Sequence, residues 1–143
     1  MKRYLGLDLG SKTLGVAIST SGMIATGLAT YRYDGDVAKA LERIVSLIDA
    51  HAADVVVLGY PKHMNNDVGV RGQISENLAA AIRGKRTVEV ILWDERLSTR
   101  SALKAMIEGG VRRQRQKQKK DELAAVLILQ NYLDYLNHER KGA

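Results

Sequence analysis

The sequence predicts an α/β domain: a five-stranded mixed sheet, antiparallel meander first and parallel strands after, flanked by helices. Three observations predict it. Residues 4–20, YLGLDLGSKTLGVAIST, alternate apolar with small or polar side chains on both sides of a glycine-containing turn, as in a β-hairpin. The apolar run of Val55–Leu58 and the stretch VEVILW at 88–93 alternate with helical stripes, as in parallel strands joined by crossover helices. No repeat or linker divides the 143 residues, so one domain spanning 1–143 is expected.

Each element follows in order. Leu5, Leu7 and Leu9 share one face of the first strand, and Tyr4, Gly6 and Asp8 the other. After the turn GSKT, Leu14, Val16 and Ile18 oppose Thr13, Gly15, Ala17 and Ser19. Residues 24–33 make a third strand, and DGD at 34–36 opens a helix with Val37, Leu41, Ile44, Val45 and Ile48 on one stripe. The bulk and length of Val55–Leu58 suit a strand buried on both faces, ended by Gly59 and Pro61. Residues 62–72 read as a loop. Ile74, Leu78, Ala81 and Ile82 mark a second helix, and 88–93 the fifth strand. Ser98 or Thr99 caps a third helix through Leu103, Met106 and Ile107. A last, heavily buried helix begins near Asp121.

Charge is concentrated. The chain holds 22 Lys and Arg against 16 Asp and Glu, and the nine residues Arg112–Lys120 carry six of the positive charges. Such a block favours a polyanion, most simply nucleic acid; it also suits a solvated, mobile segment over 111–120. The absence of cysteine excludes a disulfide scaffold and thiolate metal sites. The first residues do not form a signal peptide, and no run reaches the ~18 apolar residues of a membrane span. A soluble, cytoplasmic protein is expected.

Three acidic positions stand in costly places. Asp8 interrupts an apolar strand, where a carboxylate is expensive unless used or hydrogen-bonded. Gly6, Gly15 and Ala17 could leave a shallow space around it, although an Asp can equally cap the following turn. Asp94 and Glu95 lie past an apolar strand, where open α/β sheets bind ligands. Adjacent residues leave a strand toward opposite sides, so only one of them faces the site. Asp121 stands where the basic segment meets the last helix, a place that also suits an N-cap. Three carboxylates from distant segments suit a hard cation such as Mg2+ or Mn2+. Two such ions, ~3.5–4 Å apart, support phosphodiester hydrolysis.

Four stretches together, LDLGSKTLGVAIS (7–19), VVVLGYPKHMNN (55–66), DERLST (94–99) and KKDELAAVLILQNYL (119–133), closely resemble the YqgF/RuvX family. Its members are Holliday-junction-resolvase-like nucleases linked to maturation of the 5′ end of pre-16S rRNA. The resemblance covers nearly the whole chain and implies an RNase H-like fold. It implies Asp8, Glu95 and Asp121 as the catalytic and metal-binding set for two Mg2+ or Mn2+ ions. It places Lys12, Arg96, Thr99 and Arg100 at positions that contact phosphate or brace the site. The basic run adds Arg112, Arg113, Arg115, Lys117, Lys119 and Lys120 as phosphate contacts. The family's usual GLP reads GYP here, with Tyr60 in the middle.

The expected activity is thus metal-dependent cleavage of structured nucleic acid, pre-rRNA or branched DNA, by a monomer or homodimer. Two rivals belong to other classes. One is a non-catalytic nucleic-acid-binding module. The other is a nucleotide-dependent phosphotransferase, because DLGSKTLG also resembles the phosphate-binding hairpin of the actin and sugar-kinase superfamily. Those enzymes close two such domains around ATP, and this chain supplies one. His51, His63 and His138 lack ligand spacing. Trp93 reads as core, and Tyr132, Tyr135 and Leu136 as internal packing.

Overall fold

Alternating strands and amphipathic helices assemble as their periodicity requires. In the computed structural model, which describes residues 2–60, 69–94 and 113–142, the elements are β1 (Tyr4–Leu9), β2 (Thr13–Ser19), β3 (Thr26–Arg32), α1 (Val37–His51), β4 (Val55–Tyr60), α2 (Gly69–Lys85), β5 (Glu89–Asp94) and α3 (Arg113–Gly142). The sheet order is β3-β2-β1-β4-β5. β1 pairs antiparallel with β2 and parallel with β4, and β4 pairs parallel with β5. β1 is therefore central, and the carboxyl ends of β1, β4 and β5 share one sheet edge.

The two sheet faces carry separate cores. Leu5, Leu7, Leu14, Val16, Val56, Leu58 and Val90 pack with α1 and α2. Tyr4, Ala17, Val55 and Val57 pack with Ala125, Ile128, Leu129, Tyr132 and Leu133 of α3. All six residues of β4 are buried, as expected of a strand covered on both faces. Asp36 caps α1, its carboxylate accepting from the Ala38 N–H at 3.1 Å. Asp34 and Gly35 make the sharp entry to that helix, both at positive φ, 53° and 80°. Among the described residues, no helix is long and apolar enough to cross a membrane.

Three expectations change. α2 begins at Gly69, so residues 69–72 are helical rather than loop; Val70 and Gln73 extend a pattern that includes no proline. β3 is trimmed to Thr26–Arg32, because α3 takes up the backbone before it. Gln130 accepts from the Ala25 N–H at 2.8 Å and donates to the Met23 carbonyl at 2.9 Å. The last helix starts at Arg113, eight residues before Asp121. Residues 113–120 of the basic run are part of that helix, since Arg, Lys and Gln are good helix formers and no Gly or Pro interrupts them. The helix expected after Ser98 or Thr99 lies outside the described residues.

Two phenols link the cores to pH. The hydroxyl of Tyr60 donates to the Glu76 carboxylate at 2.7 Å, and this bond holds its pKa above the ordinary value. Burial, and the nearby charge of Glu89, push Tyr132 the same way. Both keep their protons to higher pH in the fold than in the unfolded chain. Their stabilisation is complete below about pH 10 and is lost as pH rises through the raised values. Thermal melts between about pH 8 and about pH 12 should therefore fall more steeply for the wild type than for Tyr60→Phe/Tyr132→Phe. Equal slopes would show that these phenols do not carry the linkage.

Candidate active site

Asp8 sits near the carboxyl end of the central strand, half-buried, on the face that packs against α3. Its register partner on β2 is Gly15, and Gly6 pairs with Ala17. The small-residue faces of the two strands thus coincide. Their uses differ, however. A Cβ at Gly6 would lie 2.6 Å from the Leu129 Cβ and 3.0 Å from the Ala125 carbonyl oxygen. The space at Gly6 is filled by α3, so this glycine admits a helix rather than a ligand, which corrects its expected role.

The turn after Asp8 is braced from outside the hairpin. The Gly10 N–H donates to the Thr13 carbonyl at 2.8 Å, and the buried Tyr33 donates its hydroxyl to the Gly10 carbonyl. The Tyr33 and Asp34 N–H groups both donate to the Lys12 carbonyl, at 2.9 and 3.0 Å. The Lys12 backbone is fixed while the residue stays exposed beside the strand end. Sequence reasoning missed Tyr33. Its signal was slight: an aromatic one residue past a strand, before a DGD turn.

α3 runs antiparallel to β1. Tyr4 lies against Tyr132, with ring centroids 6.4 Å apart, and Gly6 lies under Ala125 and Leu129. Moving from Gly6 to Asp8 advances ~6.6 Å along the strand. Stepping back from Ala125 to position 121 retreats ~6 Å along the helix. The two acidic positions therefore reach the same level of the sheet. Around the helix, position 121 falls between Ala125 and Ile128, both buried against the sheet. Position 121 is helix interior, which removes the N-cap explanation for this aspartate. Glu122 turns elsewhere, its carboxylate lying over Gly27 of β3.

β5 separates Asp94 from the α3 face. Val90 and Leu92 belong with the core under α1 and α2, whereas Ile91 and Trp93 pack against α3. By the same alternation Asp94 stands on the face opposite Asp8. Trp93 is a packing residue, edge-on to Tyr132 with centroids 5.6 Å apart. Leu136 is partly buried against the same core, while Tyr135 is half-exposed and leans on Trp93. Glu95, Arg96, Thr99, Arg100 and Arg112 lie outside the described residues. Arg113, Arg115, Lys117, Lys119, Lys120 and Asp121 are placed by their helical backbone alone.

Tyr60, the departure within GYP, is buried and pairs with Glu76 of α2. It ends β4 beside Asp94 and serves packing at the sheet edge.

A five-stranded mixed sheet with an acidic residue on its central strand, crossed by a long helix, defines the RNase H-like fold of resolvases. It is shared with Thermus thermophilus RuvC in complex with a Holliday junction, at TM-score 0.68 and 11% identity over 97% of both chains. The yeast mitochondrial Holliday junction resolvase Ydc2 shows it too, at TM-score 0.53 and 15% identity over 98% of this chain and 84% of that one. Within that class, the chain belongs to the RuvX family, described as Holliday junction resolvase, whose model matches residues 2–135. Among its relatives, proteins of Bacillus pumilus and Bacillus subtilis named "Putative pre-16S rRNA nuclease" are each 48% identical over 139 residues, covering 94% of this chain and 99% of theirs.

Proposed function

We propose that this chain is a divalent-metal-dependent endonuclease that hydrolyses phosphodiester bonds in structured nucleic acid. Its substrate is the 5′ region of the 16S rRNA precursor, and it acts in the cytoplasm. The observation that carries this reading is the antiparallel register of α3 on β1, which brings position 121 level with Asp8. The names of the relatives support the RNA substrate.

The donor chemistry fits a hard cation. Asp8 offers carboxylate oxygens on a strand face where its neighbour Gly15 has no side chain. Asp94 lies on the other face, which leaves Glu95 as the member of the pair for the site. Asp8, Glu95 and Asp121 would hold Mg2+ or Mn2+, and two ions there would supply an activated water and neutralise the leaving oxygen. The chain's own residues do the rest. Tyr33 and the Lys12 carbonyl keep the turn in one shape, so only the Lys12 side chain, and not its backbone, is ordered when it meets a phosphate. The basic first turns of α3, with Arg96, Thr99, Arg100 and Arg112, hold the backbone on either side. Such phosphate contacts position a substrate but carry little sequence information.

The test pairs two substrates: a 5′-extended 16S precursor and a synthetic four-way DNA junction, each with Mg2+, Mn2+ or EDTA. The precursor should be cut with metal and left intact in EDTA. Cleavage of the junction alone would move the assignment to DNA resolution. Salt-sensitive binding without turnover under any metal would make the chain a binding module.

A further inference from the structure

The flank formed by β3 and α1 carries a groove that the carboxylate site does not use. It encloses about 360 Å³. Three cations, Arg32, Lys39 and Arg43, line it against one carboxylate, Glu42, with Tyr31 as part of its wall. Arg32 is already held by Asp34 at 2.8 Å. Among the described residues, the exposed Lys39 and Arg43 form no ion pair.

These two cations are spaced and oriented for a repeating anion. They stand four residues apart on α1, ~6 Å along its axis and on one face. The Arg43 guanidinium lies 4.4 Å from the centroid of the Tyr31 ring. Stacking fixes the plane of the guanidinium and leaves its N–H edge for oxygen acceptors. A cation ordered beforehand loses less freedom when a ligand arrives.

The groove opens at the same end of the sheet as the candidate site. Tyr31 is in register with Leu14, and Leu14 with Leu9, the neighbour of Asp8. Two strand spacings, ~10 Å, separate their backbones within the sheet; Asp8 stands on the other face, so an arm that reaches the groove passes over the strand ends. Lys12 stands at that same end of the sheet, tied to the β3–α1 connection through Tyr33 and Asp34.

We propose that this groove binds the phosphate backbone of a nucleic-acid arm flanking the cut, with Lys39 and Arg43 on successive phosphates. The proposal rests on the chain acting on structured nucleic acid. It adds a second contact surface on the opposite side of the sheet from α3.

The test measures binding by the full chain without metal, so that it does not depend on cleavage. Lys39→Gln/Arg43→Gln is compared with Lys2→Gln/Lys85→Gln, which removes the same charge at the far end of the sheet. The probes are a 16S precursor helix and a DNA junction, each with full-length arms or with arms cut to about two pairs beyond the cleavage point. For full-length arms, the groove variant should bind roughly tenfold more weakly, with a log–log salt slope smaller by about 1.4–1.8. The far-end variant should keep the wild-type slope, and trimmed arms should erase the difference. An unchanged slope, an equal loss in the far-end variant, an equal loss on trimmed arms, or no binding by the wild type overturns the proposal. Intact binding with no cleavage under any metal counts against the nuclease reading instead.

Discussion

Asp8→Asn should lower metal-dependent cleavage by roughly 10³-fold or more while leaving the protein folded. Asparagine keeps the size and shape of the side chain and removes only its charge, so the β1–β2 pairing has no reason to change. What is lost is the oxygen donor proposed to be central to a hard-cation site. Calorimetry should show weaker Mn2+ binding, and metal-free binding of the precursor should stay near the wild-type value, because the proposed phosphate contacts, Lys12 and the basic segments, are unchanged. A sharp contrast is available in Asp94→Asn. Asp94 is acidic and close in sequence to the candidate set, but β5 turns it to the opposite face from Asp8. Its cleavage rate should stay within a few-fold of wild type. If Asp8→Asn cuts at a tenth of the wild-type rate or better, the carboxylate mechanism is wrong. If both variants are equally impaired, the face assignment fails.

The second large effect is structural and reaches the same chemistry. Gly6→Ala should destabilise the fold by about 2–3 kcal/mol, as overpacking does, lowering Tm by roughly 5–10 °C for a chain of this size. The new methyl group would meet the Leu129 Cβ at 2.6 Å and the Ala125 carbonyl oxygen at 3.0 Å. Neither is the free end of a flexible side chain, so the backbone of α3 must move away from β1. That movement carries position 121 away from Asp8, and cleavage should fall even at temperatures where the variant remains folded. Gly84→Ala supplies the comparison. It lies in α2 with nothing within 4 Å of an added Cβ, and it should be neutral or stabilising by about 0.4–1 kcal/mol. A Gly6→Ala protein with wild-type Tm and activity would show that the helix does not rest on that glycine.

Much of the architecture was legible because it is written in local periodicity. Leu5, Leu7 and Leu9 against Gly6 and Asp8 announced β1 and its two faces. Val55 to Leu58, apolar without alternation, announced a strand covered on both sides, and β4 is buried throughout. Boundaries were harder where composition is helix-compatible but also typical of solvated segments. The start of α2 at Gly69 and of α3 at Arg113 are such cases. A run of Arg, Lys and Gln has good helix propensity, yet its charge suggests an open loop, and its connection to a buried helix is not visible in its own residues. The bracing of the site's turn was missed for a related reason. Tyr33 acts on Gly10 from twenty-three residues away, and nothing near Tyr33 in the chain names that target.

By itself, the sequence determined the mixed α/β class, the family, and which carboxylates are candidates, because strand and helix periods and motif spacing are properties of neighbouring residues. Tertiary structure decided which of those residues meet. It set β1 at the centre of the sheet and ran α3 antiparallel across it, so that position 121 is level with Asp8. It gave the space at Gly6 to a helix, turned Asp94 to the far face, and joined β3 to α1 around Lys39 and Arg43. The physical reason is that burial and hydrogen bonding are satisfied between segments distant in the chain, and a periodic pattern specifies a face without specifying what covers it.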